Sequence, residues 1–201
     1  ERDDAALVSG SMGGLFVSST TVLPEGFDAN DAQSLAAGGF AVRGTMGYTA
    51  GEMQFAATEP AGTTSGTTRT GTVRLEFAMD SDALRYDVQA TDQAFTLSGP
   101  EMPLPLDVRM AESAFRVTAP IAKAEDPQDM AFGLTLRGFE MSDLLWNVFD
   151  PGAALPRDPA TIAMDITGQV TPFFNLFDPE QMAMLEATGG TPIELNALTL
   201  N

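Results

Sequence analysis

Val73-Arg74-Leu75-Glu76-Phe77-Ala78-Met79, followed across Asp80-Ser81-Asp82 by Leu84-Arg85-Tyr86-Asp87-Val88-Gln89-Ala90, is the stretch that decides the fold. Apolar side chains recur at every second position, with charged or polar ones between them. A period of two puts one set on each face of a strand, whereas a helix would scatter both sets around its axis. Asp80-Ser81-Asp82 reads as the turn of a hairpin. The alternation predicts Val73, Leu75, Phe77 and Met79 mostly buried, with Arg74 and Glu76 mostly exposed.

The pattern spreads in both directions. Phe95 and Leu97 continue it, then Leu104, Leu106, Val108 and Met110, then Phe115 and Val117, then Phe132, Leu134 and Leu136. On the N-terminal side, Phe40 to Tyr48 and Glu52 to Phe55 read as further strands. The connections are too short to hold crossover helices, so the strands pair antiparallel. The fold class is mainly β: a curved antiparallel sheet or meander with two or three short covering helices. Residues 1–201 form a single β-rich domain or an internal portion of a longer protein. Glu59 to Gly71 lacks apolar periodicity and reads as a flexible loop, 59–71, that joins sub-units 1–58 and 72–201 and is cut first by protease.

Helical periodicity appears in short pieces. Asp28 to Ala37 reads as one helix, capped by Asp31 and ended by Gly38-Gly39. Met141, Leu144, Leu145, Val148 and Phe149 make one stripe, which Ser142 or Glu140 caps and Asp150-Pro151-Gly152 stops. Thr171-Pro172 reads as the start of another helix carrying Phe173, Phe174, Leu176 and Phe177, and Asp178-Pro179-Glu180-Gln181 as a capping box that restarts it. Trp146 to Pro151 and Phe174 to Pro179 echo each other, as if one helix–loop–strand unit were used twice.

Chemistry is constrained by what is missing. The chain has no histidine and no cysteine, which removes the commonest general base, thiolate nucleophiles and Cys-ligated metals. No pair of carboxylates has the spacing of a calcium loop, and no cofactor is expected. The formal charge is -18, with Lys123 the one lysine beside nine arginines. Such a field repels phosphate backbones, so nucleic acid is not a partner. The start, Glu1-Arg2-Asp3-Asp4, reads as a processed or trimmed end. The residues left as a candidate site are aromatic: Trp146, Phe149, Phe173, Phe174 and Phe177. They read as an apolar-ligand groove or as a packing cluster closing one face of the sheet, with Phe149 buried on its stripe and Trp146 off it.

Leu144 to Ala160, with its Trp146-x-x-x-Asp150-Pro151 and Leu155-Pro156-Arg157-Asp158-Pro159-Ala160 runs, resembles the DUF2125 family of uncharacterised alphaproteobacterial proteins. Ile162 to Gly168 is similar to it as well. The resemblance implies a periplasmic or cell-envelope setting, soluble in this segment and anchored upstream, and it supplies no activity and no site residues. Together these readings point to a non-catalytic envelope protein that binds a lipid-like ligand or an envelope protein. The alternatives are a purely structural module of a larger periplasmic assembly and, ranked last, a carboxylate-dependent enzyme.

Overall fold

The computed structural model describes residues 5–28, 39–175, 178–188 and 193–201; the helix expected over Asp28 to Ala37 lies almost wholly outside them. The strands are β1 (Ala5–Gly13), β2 (Phe16–Val22), β3 (Ala41–Tyr48), β4 (Ala50–Glu59), β5 (Gly62–Thr70), β6 (Val73–Asp80), β7 (Ala83–Ser98), β8 (Leu106–Pro120), β9 (Gln128–Met141), β10 (Ala160–Pro172) and β11 (Ile193–Leu200). Among the described residues two short helices, α1 (Asp143–Phe149) and α2 (Pro179–Thr188), interrupt them. All eleven strands belong to one open antiparallel sheet.

The register makes the topology simpler than eleven strands suggest. Gly13 opposes Ala50 in the β1–β4 ladder and Phe16 opposes Gly47 in the β2–β3 ladder, which is the same register continued. Tyr48 opposes Val73 and Gly51 opposes Thr70 in the same way. So do Val73 with Ala90 and Arg69 with Ala94. Thus β1 and β2, β3 and β4, and β5 and β6 are three long strands, each broken in the middle. The sheet is an up-and-down meander of eight rows in sequence order.

The breaks line up into one seam across the sheet. It runs through Gly13-Gly14, Thr49, Gly71-Thr72, Asp92, Ala111, Gly138 and the irregularity between Ala160 and Ile162. Gly14, Asp92 and Gly138 have φ of 62°, 50° and 61°. At Gly71-Thr72 the ladder is locally distorted on both strands, with its register unchanged. Gly71 N donates to Thr91 O at 2.8 Å and Thr72 N to Thr91 Oγ1 at 3.1 Å, while Thr91 N donates back to Thr72 O at 3.0 Å. Locally this is bulge-like hydrogen bonding, offset on the facing strand by Asp92 at φ 50°, so that the register carries through.

The seam has a consequence for the faces. On β7 the apolar positions are Leu84, Tyr86, Val88 and Ala90 before it, and Phe95 and Leu97 after it. β8 changes phase between Met110 and Phe115, β9 between Leu136 and Phe139, and β3–β4 between Tyr48 and Met53. A one-residue shift in a regular strand would send the second set to the opposite face. A bulge sets two successive residues on nearly the same side, so the shift and the bulge cancel. The exposed positions of β7 shift with it: Arg85 and Gln89 before the seam, Asp92 and Ser98 after it.

Glu59 to Gly71 is not the expected flexible loop. Residues 62–70 form β5, paired with β4 on one side and β7 on the other, so the two expected sub-units share one sheet. Its apolar signal is missing because Gly66 stands where a large side chain would. The Phe55 ring occupies that space, and a Cβ on Gly66 would lie 2.4 Å from Phe55 Cζ. Thr67 and Thr96 share a hydroxyl hydrogen bond of 2.7 Å across the other face. β-branched threonine fits the pleat well without carrying a hydrophobic pattern.

Val73, Leu75, Phe77 and Met79 are half-buried, and Arg74 and Glu76 are exposed. The alternation is as expected, but the depth of burial is not. Among the described residues only Ala90, Ile121 and Val170 are buried hydrophobics. The accessible surface is 13000 Å² for a chain of 21.2 kDa, against about 9,000 Å² for a compact monomer of that mass. A sheet whose apolar residues are mostly half-buried among the described residues contributes to this difference.

Candidate functional site

The aromatic residues singled out from sequence do not assemble into one cluster. α1 precedes β10 and carries Trp146 and Phe149, whereas Phe173 and Phe174 follow β10. Thirteen residues of strand, about 40 Å, separate the two groups. Phe177 lies outside the described residues. Phe149, expected to be buried, is 72% exposed, as are Leu144 at 51% and Val148 at 62%; Phe173 is exposed and Phe174 half-buried. Of the expected stripe α1 half-buries only Leu145, together with Trp146 from off the stripe. With seven residues it is short, and its orientation follows the ties of the loop behind it. The Phe149→Ala variant should therefore melt within about 0.5 kcal/mol of the parent; thermal melts of the two proteins check it.

Those ties account for the Leu144 to Ala160 block. Asp150 is buried, and its carboxylate accepts from Ala154 N at 3.0 Å and Leu155 N at 2.8 Å. Arg157 donates to Asn147 Oδ1 at 3.0 Å and to Asp150 O at 3.3 Å, and its guanidinium lies 5.6 Å from the centre of the Trp146 ring. Trp146, Asn147, Asp150 and Arg157 thus close one knot at the end of α1. Ser142 stands at the N-cap but its hydroxyl makes no capping bond.

The two amide donors, of Leu155 first and Ala154 second, hold the Asp150 carboxyl below the usual carboxylate range, and Arg157 adds to this. A group whose folded pKa is depressed contributes stability above its unfolded pKa and loses it as pH falls through the folded one. Asp80, held down by Ala83 N and Asp82 N, and Asp178, held down by Gln181, act in the same sense. The melting temperature should therefore fall as pH drops below about 5, through the ordinary carboxylate range and on below it. The Asp150→Asn variant should melt earlier at neutral pH and show a flatter profile over that window; melts across pH measure both.

The sequence echo is not a structural repeat. Trp146 to Phe149 lies inside α1 and Asp150 ends it, whereas Phe174 and Asn175 lie outside any helix and Asp178 starts α2. Asp178 accepts from Glu180 N at 3.0 Å and Gln181 N at 3.2 Å, as an N-cap does. The Gln181 amide turns back to Asp178 and accepts from Asn175 N at 3.1 Å. Thr171 and Pro172, expected to open a helix, are the last residues of β10 and pair with Glu194 and Ile193. Pairing with β9 ends at Val170, so the missing Pro172 N–H interrupts no ladder on that side.

What the sheet does assemble is one continuous apolar face. Leu75, Val88, Phe115, Leu134 and Met164 oppose one another across five strands. Phe77, Tyr86, Val117, Phe132, Ile166 and Leu200 form the next row. Phe115 sits at the centre, edge-on to Tyr86 at 6.3 Å and to Phe132 at 5.3 Å. Beyond the seam, Phe55, Leu97 and Leu106 extend the face with Met53, Phe95, Val108 and Met141. Sequence reasoning placed these residues on strands and read them as core, except Met141, which it put at the start of a helical stripe and which is instead the last residue of β9. The signal that they form a surface is the absence of any long amphipathic helix able to cover them.

The opposite face is a lattice of arginine–carboxylate pairs. Arg74 pairs with Glu76, Arg85 with Asp80, Arg109 with Asp107, Arg137 with Glu112 and Arg69 with Glu52. Arg116 lies across Gly133 to reach Asp165. Each pair is exposed and contributes at most about 1 kcal/mol. Among the described residues, no three acidic side chains are grouped to hold a metal ion, and no helix is long and apolar enough to cross a membrane. Compared with protein-family models, with curated proteins and with solved structures, the chain matches none.

Proposed function

We propose that the apolar face of the sheet holds an extended lipid-like ligand, and that the protein is a non-catalytic carrier or scaffold in the cell envelope. The observation that carries the reading is the face itself: apolar rows run across the strands, stay on one side through the seam, and are half-exposed. Surface of this kind and extent marks an interaction site. The ligand would be recognised by its chain, since six of the arginines are already paired with carboxylates and the net charge of -18 repels anionic headgroups. The envelope setting rests on the resemblance of Leu144 to Ala160 alone.

Native mass spectrometry of protein purified from its own host, followed by organic extraction, tests the reading. A co-purifying molecule with one or more long alkyl chains is expected. A ligand-free protein that also fails to bind a fluorescent fatty-acid analogue would reject it, and a stoichiometric protein partner over this face would favour the structural-module alternative.

A further inference from the structure

The long edge made by β1 and β2 lacks the devices that keep strand edges apart. From Ala5 to Val22 it holds no Asp, Glu, Lys, Arg or Pro, although 19% of the chain is charged. Among the described residues, β1 pairs only with β4 and β2 only with β3, so the outer side of both is free. Leu7 and Val8 are each 67% exposed, Leu15 73% and Val17 75%. An unpaired edge is a template for another strand, and soluble proteins blunt it with charges, prolines or short length. The other outer strand, β11, is shorter and carries Glu194.

The edge is also symmetric about the seam. Its ends, Ala5 and Val22, lie equally far from the Gly13–Gly14 junction. A second copy laid antiparallel about that junction would set Ala5 opposite Val22, Ser9 opposite Ser18, Gly10 opposite Val17 and Met12 opposite Leu15. Directly opposed residues share a face. The phase shift at the seam then keeps directly opposed residues on the same face along the whole length, with Ala5–Val22, Ser9–Ser18 and Met12–Leu15 also alike in kind, and seam meets seam. A slip of one residue would set the two members of each pair on opposite faces.

We infer that this edge docks a second copy of the same chain, joining two sheets into one continuous antiparallel sheet with two-fold symmetry. Because the contact is the same strand on both sides, it closes as a dimer and does not propagate. The edge is neutral while the rest of the molecule repels its copy, so association strengthens with salt. The inference does not depend on the ligand proposed above.

Sedimentation of the full chain over a range of concentrations and salt, with edge variants, tests it. The parent should dimerise at micromolar concentration and more tightly at high salt. The S9K/S18K variant sets like charges directly opposite and should weaken association by about tenfold or more, with an unchanged far-ultraviolet spectrum. Since the chain has no cysteine, thiols report the register. A mixture of Ser9→Cys and Ser18→Cys proteins should oxidise to a cross-linked dimer, and Ser9→Cys alone should not. A parent that stays monomeric to roughly 100 μM, a dimer indifferent to S9K/S18K, or a mixture that fails to cross-link overturns the inference.

Discussion

Replacing Gly138 by valine should destabilise the sheet by about 2–4 kcal/mol. Gly138 has φ of 61°, a conformation that a β-branched residue rarely adopts, and a Cβ there would lie 2.8 Å from Ala111 Cβ. Strain and clash add, against a whole margin of about 5–15 kcal/mol for a domain. For a chain of this length, each kcal/mol moves the melting temperature by about 2–4 °C. The two contributions separate experimentally. Pairing Gly138→Ala with Ala111→Gly removes the clash and leaves the φ cost, so the double variant should recover part of the loss. Gly152→Ala is the control, because a Cβ there meets nothing within 4 Å and φ is not positive. If Gly138→Val melts with the parent, the seam is not a fixed feature of the sheet.

Phe115→Ala should have the second large effect, and it should appear in two measurements. A fully buried Phe truncated to Ala costs about 3–5 kcal/mol. Phe115 is half-buried, which lowers the expectation to roughly 2–3 kcal/mol, including the loss of edge-on contacts with Tyr86 and Phe132 worth about 0.5–1.5 kcal/mol each. Thermal or urea melts measure this part. The same variant should retain less of the co-purifying alkyl ligand, whereas Phe115→Leu, which keeps an apolar surface, should retain most of it. A Phe115→Ala protein that is destabilised but holds its ligand in full would show that Phe115 packs the sheet and lies off the ligand's path.

Strand identity was legible because alternation is local: each strand carries its own pattern, as Val73 to Met79 and Leu84 to Ala90 do. The turn at Asp80 was legible for the same reason, since its carboxylate accepts from Asp82 N at 3.0 Å and Ala83 N at 2.8 Å within three residues. β5 was not legible, because Gly66 leaves its space to a ring on the neighbouring strand, and that pairing is not written in the segment itself. The seam had a sequence trace, the change of apolar phase on several strands, but the trace acquires meaning only when the register brings those positions into one line.

The candidate site divides in the same way. Sequence marked Trp146, Phe149, Phe173 and Phe174 as aromatics near helices, and they are; whether they meet depends on the length and direction of β10, which sets them at opposite ends. The sequence by itself determined most of the strands, the antiparallel pairing and the absence of histidine and thiol chemistry, because these follow from residue type and local period; β5 and the end of β10 it did not. Only the tertiary structure decided that the apolar residues form an open face rather than a sealed core. Burial is a property of what lies opposite a side chain, and an alternating strand carries the same pattern whether its apolar face meets another layer, a ligand or water.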